Sequence, residues 1–224
     1  MNILSLSASM KNVILTMLLN EKIIKREISG TGSGSKILEK TEKILKENKM
    51  NLEDIKLFGI DIGPGSFTGI RISIAALQGL LFLRKYFEIR TFCSTDLINN
   101  SFYNFENIKK RAVLKKARED FAYLSLYDER KRVFGPEMIE GKELKEMLEN
   151  YVILGEESKH FIDKYNLSNK YYDVEISPES IIELSKNGRL EKLENLKPLY
   201  LQKPVAVESF EKKHNTIIDE SHWS

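Results

Sequence analysis

The chain of 224 residues is 42% apolar and 30% charged, a balance typical of a globular protein with one large core or two small ones. Its formal net charge of +2 lies far below the basic excess expected of a dedicated nucleic-acid-binding domain. Cys93 is the only cysteine and the three histidines are scattered, which excludes a disulfide framework and disfavours a four-ligand zinc site. The sequence shows neither a signal-peptide pattern nor an apolar run of membrane-spanning length, so we expect a cytoplasmic protein without a membrane partner.

Three short segments rich in Ile, Leu and Val begin the chain and predict an antiparallel meander of strands. An amphipathic helix is predicted next, with Ile37, Leu38, Thr41, Ile44 and Leu45 on one face. A buried strand, a glycine loop and a strongly apolar helix complete the first half. In order, these segments are NILSLSAS, VILTMLL, EKIIKREIS, KILEKTEKILKENKM, IKLFGIDI and GPGSFTGIRISIAALQGL.

The second half repeats this order of elements without sequence identity to the first. Two strands, a weaker third strand, a short helix, a short strand and two further helices are predicted there. Ser177 as N-cap and Pro178 at the first helical position begin the last of these helices. Periodicity weakens over 94–110, which predicts a junction between two domains.

The glycine loop GPGSFTG, residues 63–69, has two interpretations. A strand-to-helix turn can bring backbone amides close to a phosphate, yet this loop lacks the Lys of a Walker A motif, and its spacing differs from the dinucleotide fingerprint. A turn that lets helix and strand pack closely is the simpler interpretation, with Gly63, Gly65 and Gly69 as loop-shaping residues. Arg71 lies near the N-terminus of the following helix, where a cation is unfavourable. It therefore predicts a specific partner: a carboxylate, a bound anion or a surface ion pair.

The helix after the loop is apolar on two sides. One side is the stripe Ile70, Ile74, Leu77 and Leu81. A helix that is apolar nearly all round must be covered on both sides, so we hypothesise that its second side meets another protein chain. The alternative is that the second half of this chain covers it. That second side consists of Ile72, Ala75, Ala76, Gly79, Leu80 and Leu83.

The stretch GPGSFTGIRISIAALQGL resembles the signature of the TsaB (YeaZ) family, non-catalytic subunits of the bacterial machinery that makes threonylcarbamoyladenosine in tRNA. KKAREDFAYLSLY is similar to a second family segment and retains Ala117, Arg118 and Tyr123. LKPLYLQKPVAV resembles the closing element of the family. The similarity runs in order from residue 1 to about 213, and the glycine loop is its specific part.

The resemblance implies an α/β, actin-like (ASKHA, ribonuclease H-like) fold with duplicated mixed-sheet subdomains. The expected domains are 1–100, which carries the partner-binding helices, and 101–224, whose tail after about 205 packs back on the first. The resemblance also implies partners: TsaD in a heterodimer, the ATPase TsaE, and tRNA through the complex alone. A homodimer is expected when the chain is by itself.

The same resemblance maps the partner surface onto helices at about 35–48 and 67–84. The function implied is that of a scaffold that pairs with TsaD and supports threonylcarbamoyl transfer to the adenosine beside the anticodon. The residues assigned to partner binding are Ile70, Ile72, Ala75, Ala76, Gly79, Leu83, Ile37 and Thr41.

Departures from the family and from actin-like enzymes bear on catalysis. Ser7 stands where an acid usually ends the first strand, and an acid there helps to organise a hydrated Mg²⁺ ion. Lys115 and Lys116 stand at the matching turn of the second half, and the first helix lacks metal-binding histidines. We therefore predict no catalytic residues, no metal site and no cofactor bound by this chain alone, with ATP and a divalent metal belonging to the partner subunits.

Two further functions stay open. An autonomous actin-like ATPase, or a sugar or acid kinase, would need metal-binding carboxylates that the sequence does not offer at the expected positions. A protein that associates only with itself could use the same apolar helix about a two-fold axis. Peptidase activity is disfavoured, because Ser66 has no evident histidine partner.

Overall fold

Two β-sheets, each with helices packed against it, form the fold. No helix in the part of the chain described below is both long and apolar enough to cross a membrane. The structure is a computed structural model that describes residues 1–29, 33–102, 107–118, 120–201, 210–211 and 213–216.

The three opening strands lie where the Ile-, Leu- and Val-rich segments predicted them. Within the described residues the strands are β1 Asn2–Ser7, β2 Val13–Leu19, β3 Lys22–Ile28, β4 Ile55–Asp61, β5 Glu88–Phe92, β6 Lys110–Lys116, β7 Phe121–Asp128, β8 Lys131–Glu140, β9 Val152–Leu154, β10 Tyr171–Tyr172 and β11 Arg189–Glu191.

The last helix begins as the sequence predicted. The Ser177 hydroxyl accepts a hydrogen bond from the Ser180 amide at 3.2 Å, and Pro178 occupies the first turn. In the same described ranges the α-helices are α1 Ser33–Glu47, α2 Phe67–Leu81, α3 Ser94–Ser101, α4 Leu144–Met147, α5 Ser158–Tyr165 and α6 Pro178–Asn187.

The two sheets repeat one topology. The first has the order β3-β2-β1-β4-β5-β11, in which β1, β4 and β5 run parallel and β2 runs antiparallel to both of its neighbours. The second has the order β8-β7-β6-β9-β10, in which β6, β9 and β10 run parallel and β7 is antiparallel to both neighbours. Five strands thus occur twice in the same order and directions, as expected for the duplicated actin-like (ribonuclease H-like) fold.

Strand β1 shows that the first sheet is covered on both faces. Successive side chains of a strand point to opposite faces. Leu4 and Leu6 join a buried core with Ile74 of α2, whereas Ile3 packs against Ile182 of α6. Helix α2 therefore covers one face of the sheet, and α6 covers the other.

Helix α6 belongs to the second half of the chain and packs against the first sheet. The Ser185 hydroxyl of α6 lies 2.7 Å from the Ser5 hydroxyl of β1. Gly59 of β4 makes room for this contact, because a Cβ at Gly59 would lie 2.5 Å from the Ser185 Cβ. A further buried core joins Phe92 of β5 to Val113 of β6. The second half is therefore packed directly on the first sheet.

This close approach predicts the effect of Gly59→Ala. Because the added methyl would overlap Ser185, α6 must shift, and we expect a loss of about 1–3 kcal/mol in the free energy of unfolding. Gly79→Ala is the matched control, since a Cβ at Gly79 meets nothing within 4 Å; it should raise stability by up to about 1 kcal/mol. Urea unfolding measures both. Equal effects of the two substitutions would contradict the close packing of α6.

Candidate functional site

The loop between β4 and α2 requires glycine for two different reasons. Gly63 and Gly65 have φ angles of +107° and +149°, a region that residues with a side chain rarely adopt. A Cβ at Gly69 would overlap the carbonyl oxygen of Ala8. The loop is therefore pressed against the end of β1, and its glycines permit this approach.

Three amides of the loop donate hydrogen bonds inside the chain. The Ser66 amide donates to the Ser9 carbonyl at 2.9 Å, and the Gly69 amide donates to the Ser66 hydroxyl, the N-cap of α2, at 3.2 Å. The Gly63 amide donates to the Asp61 carboxylate at 2.8 Å. A phosphate cradle needs such amides free, so the packing interpretation of the loop is favoured.

Arg71 contacts two aromatic side chains, those of Phe67 and Tyr200. Its guanidinium lies over the Phe67 ring, 3.7 Å from the ring centroid, and donates to the Tyr200 hydroxyl at 3.1 Å. A guanidinium over an aromatic face is a favourable cation–π contact. Arg71 thus has partners within the described part of the chain, and the carboxylate, anion or surface ion pair expected for it stays a prediction.

Helix α2 has a buried side and an exposed side. Ile70 belongs to the buried stripe and to the core of the first sheet. In the neighbouring helix α1, Ile37 and Thr41 are also buried. The assignment of these three residues to partner binding is corrected here, because their side chains are covered by this chain. Conversely, Leu38 is exposed, although its periodicity put it with the buried face.

The remaining predicted partner residues lie at or near the surface. Ile72 and Ala76 are half-buried against the core of the first sheet. Ala75 and Gly79 are exposed, and Leu83, just past the end of α2, is 86% exposed. Sequence reasoning omitted Phe82, which is 79% exposed. We call the four exposed residues Ala75, Gly79, Phe82 and Leu83 the α2 strip.

One flank of α2 is covered by the second half of the chain. The Gln78 side-chain amide donates to the carbonyls of Leu193 and Leu196, at 3.3 and 3.5 Å. Leu196 is buried in the first core, and the Leu199 amide donates to the Ile62 carbonyl at 2.8 Å. The segment 193–200 thus covers the flank of α2 that carries Gln78, and it leaves the α2 strip exposed.

A cleft of about 1220 Å³ lies beside the glycine loop. Lys11 in the β1–β2 turn lines it from the first half, and Lys116 at the end of β6 lines it from the second half. His160 of α5 also lines it. Among the lining residues that the structure describes, acidic residues outnumber these lysines, which disfavours a polyanion such as ATP on simple electrostatic grounds. The acidic residues are Glu27, Glu156, Glu157, Asp173 and Glu175.

Sequence reasoning missed a fully buried acid, Asp61, which is the last residue of β4 and lies just before the glycine loop. The parallel pairing of Leu6 with Ile60 sets the end of β4 next to the end of β1. The Ser7 and Ser9 hydroxyls donate to Asp61 Oδ2 at 2.7 and 2.5 Å. An acid therefore lies beside Ser7, although it comes from β4 and not from β1. Since the carboxyl ends of parallel strands share one edge of a sheet, the strand pattern could have suggested this neighbour.

Burial raises the pKa of Asp61 above its ordinary value of 3.8, although hydrogen bonds from Ser9, Ser7 and Gly63 and the charge of Lys115 act in the opposite direction. Taking a carboxylate out of water disfavours its charged form, and here that cost outweighs the favourable contacts. Asp61 consequently binds a proton more readily in the folded chain than in the unfolded chain.

Lys115 supplies a buried positive charge in the same region. Its side chain is fully buried. Its ammonium donates to the Ser9 carbonyl at 2.9 Å and pairs with Glu157 at 3.2 Å. A Cβ at Gly65 would lie 2.8 Å from the Lys115 Nζ. Lys115, which stands at the turn of the second half that matches Ser7, is therefore enclosed by both halves of the chain.

These residues do not fit the hydrated magnesium ion of actin-like enzymes. Such an ion needs carboxylate oxygens that face water and phosphate, whereas Asp61 is enclosed and already accepts three hydrogen bonds. The Lys115 ammonium adds a fixed positive charge there. Over the described residues, no group of three or more His, Cys, Asp or Glu side chains could hold a metal ion.

No family model matches the chain. A curated relative from Buchnera aphidicola, the tRNA threonylcarbamoyladenosine biosynthesis protein TsaB, is 41% identical over 44 residues, which is 20% of this chain and 20% of the relative. The matched part thus spans only about a fifth of that relative's length.

Two solved structures from Pseudomonas aeruginosa are similar over almost the whole chain. One, described as an uncharacterized protein with similarity to peptidase YeaZ, gives a TM-score of 0.75 at 17% identity, covering 90% of this chain and 99% of its own. The other, YeaZ, gives a TM-score of 0.74 at 18% identity, covering 89% and 99%. At this level of identity the likeness concerns the fold.

The raised pKa of Asp61 predicts a pH dependence of stability. A group whose pKa is raised by folding stabilises the folded state below its unfolded pKa, and this contribution is lost as pH rises through the folded pKa. We therefore expect the stability of the native chain, relative to Asp61→Asn, to fall as pH increases from 3.8. The loss should be about 1.4 kcal/mol for each unit by which the pKa is raised.

Urea unfolding of both proteins between pH 4 and pH 8 measures this difference, with Asp163→Asn on the exposed face of α5 as control. A relative stability that increases with pH would mean that the hydrogen bonds and Lys115 outweigh burial.

Proposed function

We propose that this chain, for which a local sequence match and a whole-chain likeness of fold support the TsaB (YeaZ) family, is a non-catalytic subunit in the synthesis of threonylcarbamoyladenosine in tRNA. In this proposal the chain pairs with TsaD, and the complex works with TsaE and tRNA. The chain contributes a binding surface, and the partner subunits contribute ATP, the divalent metal and the transfer chemistry.

The observation that carries the proposal is the α2 strip. Phe82 and Leu83 expose 79% and 86% of their surface, and Ala75 and Gly79 extend the apolar surface along the helix. Burying such side chains against a partner stabilises a complex by roughly 1.5–3 kcal/mol for each large one. An exposed apolar surface of this kind on a folded domain marks an interaction site.

The small residues of the strip favour a helix as the contacting element. A Cβ at Gly79 meets nothing within 4 Å, so this position offers open space along the helix. Ala and Gly let two helix backbones approach closely, and the larger side chains at the end of the strip can then fill the remaining space. Exposed Leu38 on the adjacent helix α1 would extend the contact.

The framework that supports the strip is rigid on its inner side. Ile74, Leu77 and Leu81 anchor α2 in the core of the first sheet. Arg71 and Tyr200 fasten the segment 193–200 along one flank. The strip is therefore held in a fixed orientation before a partner arrives, which lowers the entropy lost on binding.

Two observations favour the rival function of an autonomous actin-like ATPase: the cleft of about 1220 Å³ and the buried acid Asp61. The charges weigh against it. The lining is rich in carboxylates, Asp61 is enclosed by its own hydrogen bonds, and the Lys115 ammonium is committed to Ser9 and Glu157. We therefore propose that the cleft of the isolated chain is not an ATP site.

The α2 strip predicts the effect of Gly79→Arg on pairing. Since the site faces open space, the variant should fold with unchanged or slightly higher stability. A charge buried in an apolar contact should weaken binding to TsaD from the same organism by at least about 100-fold. Size-exclusion chromatography with light scattering, applied to each protein alone and to the mixture, gives the stoichiometry. Titration calorimetry gives the affinity.

Val133→Arg is the matched control, because Val133 is an exposed apolar residue on β8, far from α2 in the fold. It should leave the complex intact. Complex formation that survives Gly79→Arg would refute the strip as the pairing surface, and no complex with the unmodified chain would refute the pairing itself. A self-association that also disappears in Gly79→Arg would show that homodimer and heterodimer use the same strip.

The isolated chain should bind ATP with magnesium more weakly than about 1 mM, because carboxylates predominate over lysines among the described residues that line the cleft. Titration calorimetry checks this. The variant Glu157→Gln should not create tight binding, since four other carboxylates remain in the lining. A dissociation constant in the low micromolar range would favour the ATPase function instead.

A further inference from the structure

A series of polar contacts connects the wall of the cleft to the first turn of α2. Glu157 lines the cleft, and its side chain is 34% exposed. It pairs at 3.2 Å with Lys115, whose side chain is fully buried. The Lys115 ammonium reaches across to the first half and donates to the Ser9 carbonyl at 2.9 Å. The exposed end of this series is therefore an acid that a molecule in the cleft can touch.

The Ser9 carbonyl connects Lys115 to the start of α2. It also accepts a hydrogen bond from the Ser66 amide at 2.9 Å. Because a carbonyl oxygen has two lone pairs, it can accept from the Lys115 ammonium and the Ser66 amide at the same time. The Ser66 hydroxyl in turn accepts from the Gly69 amide, and the Ser66 carbonyl accepts from the Ile70 amide at 2.9 Å. The Ser9 carbonyl is thus hydrogen-bonded to the N-cap residue of α2.

The Lys115 side chain also supports the loop directly. Gly65 lies so close that a Cβ there would be 2.8 Å from Nζ and 2.9 Å from Cε of Lys115. If Glu157 lost its charge, the buried ammonium would lose its direct ion pair and keep only the nearby charge of Asp61. This less favourable arrangement promotes displacement of the lysine. Displacing Lys115 would release both the Ser9 carbonyl and the loop.

We propose that Lys115 is a positioning residue for the partner surface. Glu157 holds its ammonium from the cleft side, the ammonium fixes the Ser9 carbonyl, and the carbonyl fixes the N-terminus of α2. Anything that neutralises or removes Glu157 at the cleft loosens the first turn of α2 and weakens pairing, although neither residue belongs to the α2 strip. The effect on pairing rests on the proposed function, whereas the loosening of α2 does not.

Amide hydrogen exchange of the isolated chain, followed by NMR, tests the first step. In Glu157→Gln, the amides of Ser66, Gly69 and Ile70 should exchange at least about tenfold faster than in the native chain. The amides of Leu77 and Leu81, at the other end of the same helix, should keep their rates. Unchanged rates at the first turn, or an equal rise along all of α2, would overturn the proposal.

The control is Glu183→Gln on α6, because Glu183 is also ion-paired, with Arg130 at 2.9 Å, and has no part in the series of contacts. Lys115→Met keeps the length of the side chain and removes the ammonium, so it should loosen the same three amides. If that variant does not fold, Glu157→Gln still decides the question. In Glu157→Asp, which restores the charge, exchange should slow again relative to Glu157→Gln.

Titration with TsaD tests the second step. Glu157→Gln should bind about tenfold more weakly, and Glu183→Gln should bind as the native chain does. Native affinity together with loosened amides would refute the effect on pairing and leave the contact series established. If the native chain does not bind TsaD, the proposed function fails, and the exchange rates alone confirm or refute the role of Lys115.

Discussion

The backbone carbonyl of Ser9 is the point at which the two halves of the chain, the end of β1 and the start of α2 are held together. It accepts the Lys115 ammonium from the second half and the Ser66 amide from the glycine loop. Ser9 and Lys115 are buried, and in a poorly solvated region a polar group that loses its partner costs about 1–3 kcal/mol. The close packing of the loop is therefore a consequence of satisfying this carbonyl as well as of glycine's small size.

Buried charges take the place that exposed carboxylates have in actin-like enzymes. Ser7 ends β1 without an acid, while Asp61 reaches the same spot from β4 and is enclosed by Ser7, Ser9 and Gly63. A positive charge is already present, in the ammonium of Lys115. With Lys115 nearby, the Asp61 carboxyl needs no external cation to balance its charge. The hydrogen bonds of Asp61 and Lys115 are made within the chain and stabilise the fold. The chain keeps both sheets of the duplicated fold. The contacts of Lys115 with Ser9, and of Ser9 with Ser66, connect the second half to the start of α2.

The fold could largely be predicted from the sequence, because its elements carry strong local patterns. The helical period of Ile70, Ile74, Leu77 and Leu81 predicted their burial, and Ser177-Pro178 predicted the start of α6. The same pattern misled the site assignment at Ile70, which was assigned to the partner surface although it belongs to the buried stripe. Helix α3 was missed, because eight residues with three polar Asn and Asp side chains give a weak period.

Lys115 could not be predicted, since alternation in a strand shows which residues share a face but not whether that face meets water. Strand β6 lies in the middle of its sheet, with Val113 and Leu114 buried on opposite faces, so both of its faces are covered. A lysine on such a strand must find its partners inside the protein, and these come from Ser9 and Glu157, which are distant in sequence. The residue that links the cleft to the exposed helix is thus determined by tertiary contacts.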